Sequence, residues 1–417
     1  MTDTCIYCDK KNVFTDEHVV SAGLGGDDPA WMLKDCVCGN CNTKVFSPLE
    51  LKAFRSSPIA LARLFLQPKT RGRGGQTGTP SIQASVSYYE DIATALLLEQ
   101  ELGPGGRPVL LPQMVIVSSK EMQVFVSDAA KGAKFIEQVK QTLSQSTLSL
   151  VEKVREGAVS LFYATSIRWG DEKGFFQDGD RTEVSKPPTD GLWIEPLDFP
   201  SRPNVEEEFK LPPRLFQRSG GQLVCRVAST AHAMALASIA RTDLTSITIP
   251  ASAVPKEVKG GQVRQSLNVD LTAWDRVRTK ISINLCAKIF GLDLVRRPEF
   301  SSAKAYALTG KGHVLTVPST KAHLIAPMFG PALDHHHVFI ITASKAQDVK
   351  KTGLAVFSRL YGGPVEGVLP AELPIDVPLP NKPIFVVVDY HAQRIQQMTT
   401  EEYAAFAVEN AASYLPS

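Results

Sequence analysis

Five of the seven cysteines in this chain lie within its first 41 residues: Cys5, Cys8, Cys36, Cys38 and Cys41. Cys225 and Cys286 stand alone far downstream. Cys5 and Cys8 form one CxxC pair, and Cys38 and Cys41 form a second after 29 intervening residues. A CxxC turn places two thiolates at one edge of a tetrahedron. Two such turns complete a four-sulfur zinc site with no open position for water, so the zinc is read as structural. The spacing Cys36-x-Cys38 is too tight for the usual knuckle turn. Cys36 is therefore read as a small buried residue, with its exchange for Cys38 as the alternative. The first 50 residues are turn-rich and short of core material, and are expected to fold around the metal.

The clustering argues against a disulfide scaffold, which spreads its bridges through a short secreted chain. With 417 residues, 43% apolar and 21% charged, the chain has material for two or three ordinary globular domains. Lys and Arg number 45 against 43 Asp and Glu, a net charge of +2. That balance excludes a protein basic throughout, but leaves room for a local basic patch. No uncharged apolar run is long enough to span a membrane. The start, MTDTCIYCDKKN, lacks the layout of a signal peptide, and a cytoplasmic location is expected.

The segment Leu49 to Leu66 reads as helix divided at Pro58, and Pro68 to Pro80 as a basic, Gly-rich linker. The runs SIQASVSYY, MVIVSS, MQVFVS and AVSLFYATS read as strands, Ala129 to Val154 as helix, and Trp169 to Gly191 as a long loop. Val269 to Leu292 reads as a long helix. Leu271, Trp274, Val277, Ile281, Leu285 and Ile289 define its single buried face. The runs HVLTVPS, HHHVFIITAS, GLAVFSRLYG and PIFVVVDY read as strands, and a last helix opens at Thr399 or Thr400. The expected class is α+β: a zinc module over 1–67, a linker over 68–80, an α+β region over 81–190 and a mixed α/β region over 191–417.

Between the cysteine pairs stands Asp16-Glu17-His18, followed by Gly23-Leu24-Gly25-Gly26. A histidine titrates near neutrality and can take a proton from water, while the adjacent carboxylate can hold a divalent cation. Asn42 follows the last cysteine and offers an amide oxygen to a magnesium-type ion. On residue types alone, His18 is equally well a surface or packing histidine.

The whole pattern changes that balance. CxxC, then EHVV and GLGG, then CxxCN with Lys44 close behind, resembles the zinc-containing branch of the HNH endonuclease family. The resemblance covers residues 5–50. It implies a ββα-metal fold, hydrolysis of phosphodiester bonds, and a divalent ion, Mg²⁺ or Mn²⁺, beside the structural zinc. Carried across, His18 is the general base, Glu17 and Asn42 hold the catalytic ion, and Cys5, Cys8, Cys38 and Cys41 hold the zinc. Many members carry proline where Ala22 stands here. The asparagine that orients the histidine loop has no clear counterpart, Asp35 being the nearest polar candidate. These departures keep open a protein that binds nucleic acid, or recruits a partner, without cutting.

Six basic residues and no acidic one lie between Leu51 and Tyr89. Lys44, Lys52, Arg55, Arg71 and Arg73 are the candidate nucleic-acid contacts, with DNA the expected partner and RNA the alternative. Farther on, His335 and His337 of the Asp334-His335-His336-His337 run would share a face of a strand as two metal ligands might. The favoured reading is the polar mouth of a strand. Lys280 to Gly312 resembles a stretch found in uncharacterised HNH proteins of bacteria and phages. By that analogy the C-terminal region regulates the nuclease in restriction or phage defence, through a homodimer or an activating ligand or protein.

Overall fold

In a computed structural model, residues 4–71, 77–82, 84–91, 95–118, 121–156, 159–197, 211–243, 262–267, 269–312, 315–317, 324–345 and 350–411 are described. They fall into two compact units. One comprises Met1–Ala84, Pro104–Gly106 and Leu267–Ser417; the other comprises Ser85–Gly103 and Arg107–Ser266. Each is mixed α and β. This division does not follow the linear segments 1–67, 68–80, 81–190 and 191–417, because packing joins stretches that no composition shift connects.

The first unit opens with an antiparallel hairpin, Phe14–His18 on Met32–Cys38. Glu17 pairs with Leu33 and His18 with Met32, and the register slips at Asp16. A π-helical turn, Asn40–Phe46, leads into the helix Ser47–Arg55. The chain breaks at Pro58 and resumes as Ala60–Leu66, as the proline predicts.

The helix Leu271–Phe290 is capped by Asp270, whose carboxylate accepts the Ala273 N–H at 2.8 Å. It ends at Gly291, which takes the left-handed φ of 90° that favours glycine there. Its burial departs from the single stripe expected. Leu271 is exposed, whereas Thr279 to Ala287 are buried all round, Lys280, Ser282 and Asn284 included. Two partners cause this, because the N-terminal segment covers the side that would otherwise meet water. One cluster holds Ile6, Val19, Leu33 and Phe46 with Trp274, Ile281 and Leu285, and with Val386 and Val388 of the sheet.

That sheet is antiparallel and six-stranded. Its order is Leu315–Val317, Val365–Pro374, Lys351–Arg359, His336–Lys345, Ile384–Asp389 and Arg394–Met398. Period-two alternation sorts its faces. Phe339 and Ile341 join the cluster just described, while Val338 and Ile340 pack on the other face with Phe329 and Tyr403. Tyr403 belongs to the last helix, Thr400–Glu409, which Thr399 and Glu402 close with a capping box.

The second unit carries a mixed sheet. Leu192–Pro196 runs parallel to both Thr147–Glu156 and Leu223–Val227, and the remaining pairings are antiparallel. The helices Ala129–Leu143 and Thr230–Asp243 cover one face through Phe135, Val139, Leu236 and Ala240. Two expectations are corrected here. The helix expected over Ala129 to Val154 stops at Leu143, since Thr147–Glu156 alternates and pairs as a strand. The loop expected over Trp169 to Gly191 contains the strands Gly174–Gln177 and Thr182–Val184, each paired with Val159–Gly170. Among the described residues no helix is long and apolar enough to cross a membrane.

Candidate metal centre and the His18 site

The two cysteine pairs meet at the open end of the hairpin, where Cys38 pairs with Phe14. Ligand atoms of Cys5, Cys8, Cys38 and Cys41 all lie within 4.8 Å of one another. A tetrahedral zinc with Zn–S bonds of about 2.3 Å sets sulfur–sulfur edges of about 3.8 Å. The Cys8 and Cys38 sulfurs are 3.8 Å apart. The Cys38 N–H points at the Cys5 sulfur at 3.4 Å, the contact a thiolate ligand receives. Cys36 is buried outside this group, as its spacing predicts, and burial raises its thiol to about 11. A hydrogen bond from Cys41 lowers Cys5 to about 4, against the effect of burial, and Cys41 is raised in turn. The donor set therefore fits a closed four-sulfur ion such as zinc.

His18 ends the first strand, and its ring is partly accessible. Its Nε2 lies 2.8 Å from Asp27 Oδ1. An ionised carboxylate only accepts, so this contact makes Nε2 the donor, and in a neutral imidazole the lone pair then sits on Nδ1. The loop between is tightly held. Asp28 accepts the Ile395 N–H at 2.8 Å from the edge of the sheet. At Gly25, with φ of 80°, a Cβ would lie 2.5 Å from the Tyr390 Cα. Gly25 thus lets the His18 loop lie against Tyr390, just past the end of the strand Ile384–Asp389.

Glu17 points the other way. Its carboxylate is buried and paired with Lys280, which also meets Glu50 at 2.6 Å. The Ser21 hydroxyl donates to Glu50 at 2.5 Å. Burial pushes the Glu17 carboxyl up against the pull of Lys280. Burial alone would depress Lys280, but Glu17 and Glu50 hold it above its ordinary value. Asn42 donates through Nδ2 to Thr15 Oγ1 at 3.1 Å and to the Asp16 carbonyl at 2.9 Å. Its Oδ1 is thus turned away from the strand. Among the described residues, the four cysteines are the one group of three or more His, Cys, Asp or Glu side chains placed to hold a metal ion.

The basic candidates are scattered. Lys44 and Arg55 are exposed, and Lys52 is paired with Asp270. The Arg71 side chain and all of Arg73 lie outside the described residues. Asp35 is exposed, with a left-handed φ of 55°. Sequence reading missed Asp27, Lys280, Asn284 and Tyr7. Asp27 follows His18 by nine positions in no recognisable pattern, and the helix residues sit on a face whose polarity suggested solvent.

His335 and His337 do not share a strand face. His335 has a left-handed φ of 62°, precedes the strand, and stacks on His391 at 3.7 Å. His337 is wholly buried against Tyr361 and Tyr390, and its Nδ1 accepts the Tyr361 N–H at 3.2 Å. Burial lowers His337 from 6.5 to about 3. Its neutral form is therefore the folded one, so protonation favours unfolding. Stability present above pH 6.5 is expected to fall as pH drops below it, by at most about 1.4 kcal/mol per pH unit from this group. Urea unfolding of the native chain and His337→Met at about pH 7 and about pH 5 checks this. The slope should be shallower in the variant, and equal slopes would refute it.

Protein-family models, curated proteins and solved structures contain no match to the chain.

Proposed function

We propose that the chain is a metal-dependent endonuclease of the HNH type, cutting phosphodiester bonds in DNA, with His18 as general base. The observation that carries this reading is the His18–Asp27 pair on the hairpin that also carries Cys38 of the four-sulfur cluster. Asp27 fixes the tautomer, and Nδ1 is left to take a proton from a water attacking phosphorus. The zinc would hold the two chain segments and do no chemistry.

The fit for a second, catalytic ion is partial. Lys280 already neutralises Glu17, so Asn42 Oδ1 is the ligand least committed elsewhere. Magnesium-type ions commonly take one or two protein ligands and complete their shell with water and substrate phosphate. Such an ion would offset charge developing on the phosphate. The exposed Lys44 and Arg55 would meet the backbone without reading sequence. A homodimer would bring two His18 sites to opposite strands, and a place in restriction or phage defence goes with the same reading.

Plasmid nicking with Mg²⁺ or Mn²⁺ tests the reading. His18→Ala should lower the rate by about 10²- to 10⁴-fold while leaving DNA binding and zinc content unchanged. A wild-type chain that cuts neither DNA nor RNA with any divalent ion would sink it. The second reading, a zinc protein that binds nucleic acid without cutting, is favoured by one observation: Lys280 stands where Glu17 would need a metal. Salt-sensitive binding by an inactive wild type would select it.

A further inference from the structure

The polar residues of the helix Leu271–Phe290 occupy a side that an amphipathic helix ordinarily turns to water. Lys280 and Asn284 are nevertheless 1% and 0% exposed. Lying four positions apart, they share one helical face, and that face meets the hairpin. Asn284 Nδ2 donates to the His18 backbone carbonyl at 2.9 Å. Asn284 Oδ1 accepts the Tyr7 hydroxyl at 2.6 Å, and the same hydroxyl lies 3.2 Å from the Lys280 carbonyl. Tyr7 sits inside the Cys5–Cys8 turn, with its ring edge-on to Phe46 at 4.7 Å.

A carboxamide has one accepting end and one donating end. The His18 carbonyl only accepts, so it fixes which way the Asn284 amide faces. Oδ1 is then left to accept the Tyr7 hydroxyl, which holds the amide in place. Flipped over, Asn284 would set its oxygen against the His18 carbonyl, an unfavourable contact in a buried site. The direction of the His18 main chain at the end of its strand therefore depends on Asn284. The aim of the imidazole at Asp27 depends on that main chain. Asn284 in turn depends on Tyr7, which the cysteine cluster holds.

We propose that Asn284 is the positioning residue of the His18 site, and that Tyr7 couples it to the state of the cysteine cluster. The proposal rests on the reading of His18 as general base. It makes the long helix a working part of the site, and it makes metal loss at the cysteines a way of disordering His18 without touching it.

The test uses the full-length, zinc-loaded chain with Asn284→Leu and Tyr7→Phe. Leucine keeps the branched heavy-atom outline of Asn284 and favours the helix, but neither donates nor accepts. Phenylalanine keeps the Tyr7 ring packing and loses only the hydroxyl. Zinc content and far-ultraviolet circular dichroism should match wild type. Plasmid nicking should fall by about 10- to 100-fold in kcat for Asn284→Leu, and less for Tyr7→Phe, with KM unchanged, as misplacement of a reacting group by about 1 Å produces. The ¹H–¹³C ring resonances of His18 should move in both variants, a signature that a general loss of stability would not give.

Wild-type kcat and an unmoved His18 ring signal in both variants would overturn the proposal. If Asn284→Leu does not fold, Tyr7→Phe decides by the same readouts. If the wild-type chain cuts nothing, the nuclease reading fails by itself, and the His18 ring signal still decides whether Asn284 and Tyr7 position it.

Discussion

Freshly purified protein is expected to carry one zinc per chain, and Cys41→Ser to carry none, with residues 4–46 losing hydrogen-exchange protection. The four sulfurs lie within 4.8 Å of one another and leave no fifth ligand in the group. Four thiolates so close repel one another unless a cation or protons neutralise them. Bound structural zinc contributes an apparent 10–16 kcal/mol or so at neutral pH in small zinc modules. In a unit of this size about 1 kcal/mol moves a melting temperature by roughly 2–4 °C, so a fall on the order of 20 °C or more is expected. Cys36→Ser is the matched control. It changes a buried thiol outside the cluster and should keep the metal at a modest packing cost. Elemental analysis settles the matter. Metal-free native protein, or a Cys36→Ser that loses zinc while Cys38→Ser retains it, would refute the assignment.

What the sequence revealed and what it hid divide along a physical line. Cysteine spacing is local, and it selected Cys38 over Cys36 because a CxxC turn has only one reach. Pro58 and Thr399 likewise act within one turn of backbone, and each marks a boundary where expected. The environment of Glu17 was not legible in that way. Whether a carboxylate beside a histidine faces a metal or a lysine depends on Lys280, 263 positions away. Nothing in the DEH triplet reports it. The helix face was misread for the same reason. Lys280, Ser282 and Asn284 look like a solvated stripe until a second layer covers them. The resemblance to HNH nucleases spoke for 5–50 alone, and so could not show that the loop after His18 is held by Tyr390 and Ile395.

A chain ending near residue 80 is therefore expected not to fold as a working zinc module, even with zinc added. Two effects oppose each other. Zinc would still gather the turns at Cys5–Cys8 and Cys38–Cys41. Against it stands the loss of everything that the long helix and the sheet supply. Trp274, Ile281 and Leu285 pack with Ile6, Val19 and Leu33, and such side chains contribute about 1.5–3 kcal/mol each when buried. Without Lys280, Glu17 and Glu50 lose the cation that balances them, and breaking a buried pair costs about 3–5 kcal/mol. Asp28 loses Ile395, and the His18 carbonyl loses Asn284. A core of fewer than about 80 residues seldom supplies more than 3–5 kcal/mol to offset such losses. The metal should bind, but only the two turns should order around it. Trp31 is the sole tryptophan of the fragment, and in the full chain it is buried with Lys288 5.8 Å from its ring. Its emission in the zinc-loaded fragment should be red-shifted to that of a solvated indole, with no cooperative melt. A blue-shifted emission, a sharp zinc-dependent transition and nicking by residues 1–80 would instead show that the module stands alone and that the C-terminal residues only regulate it.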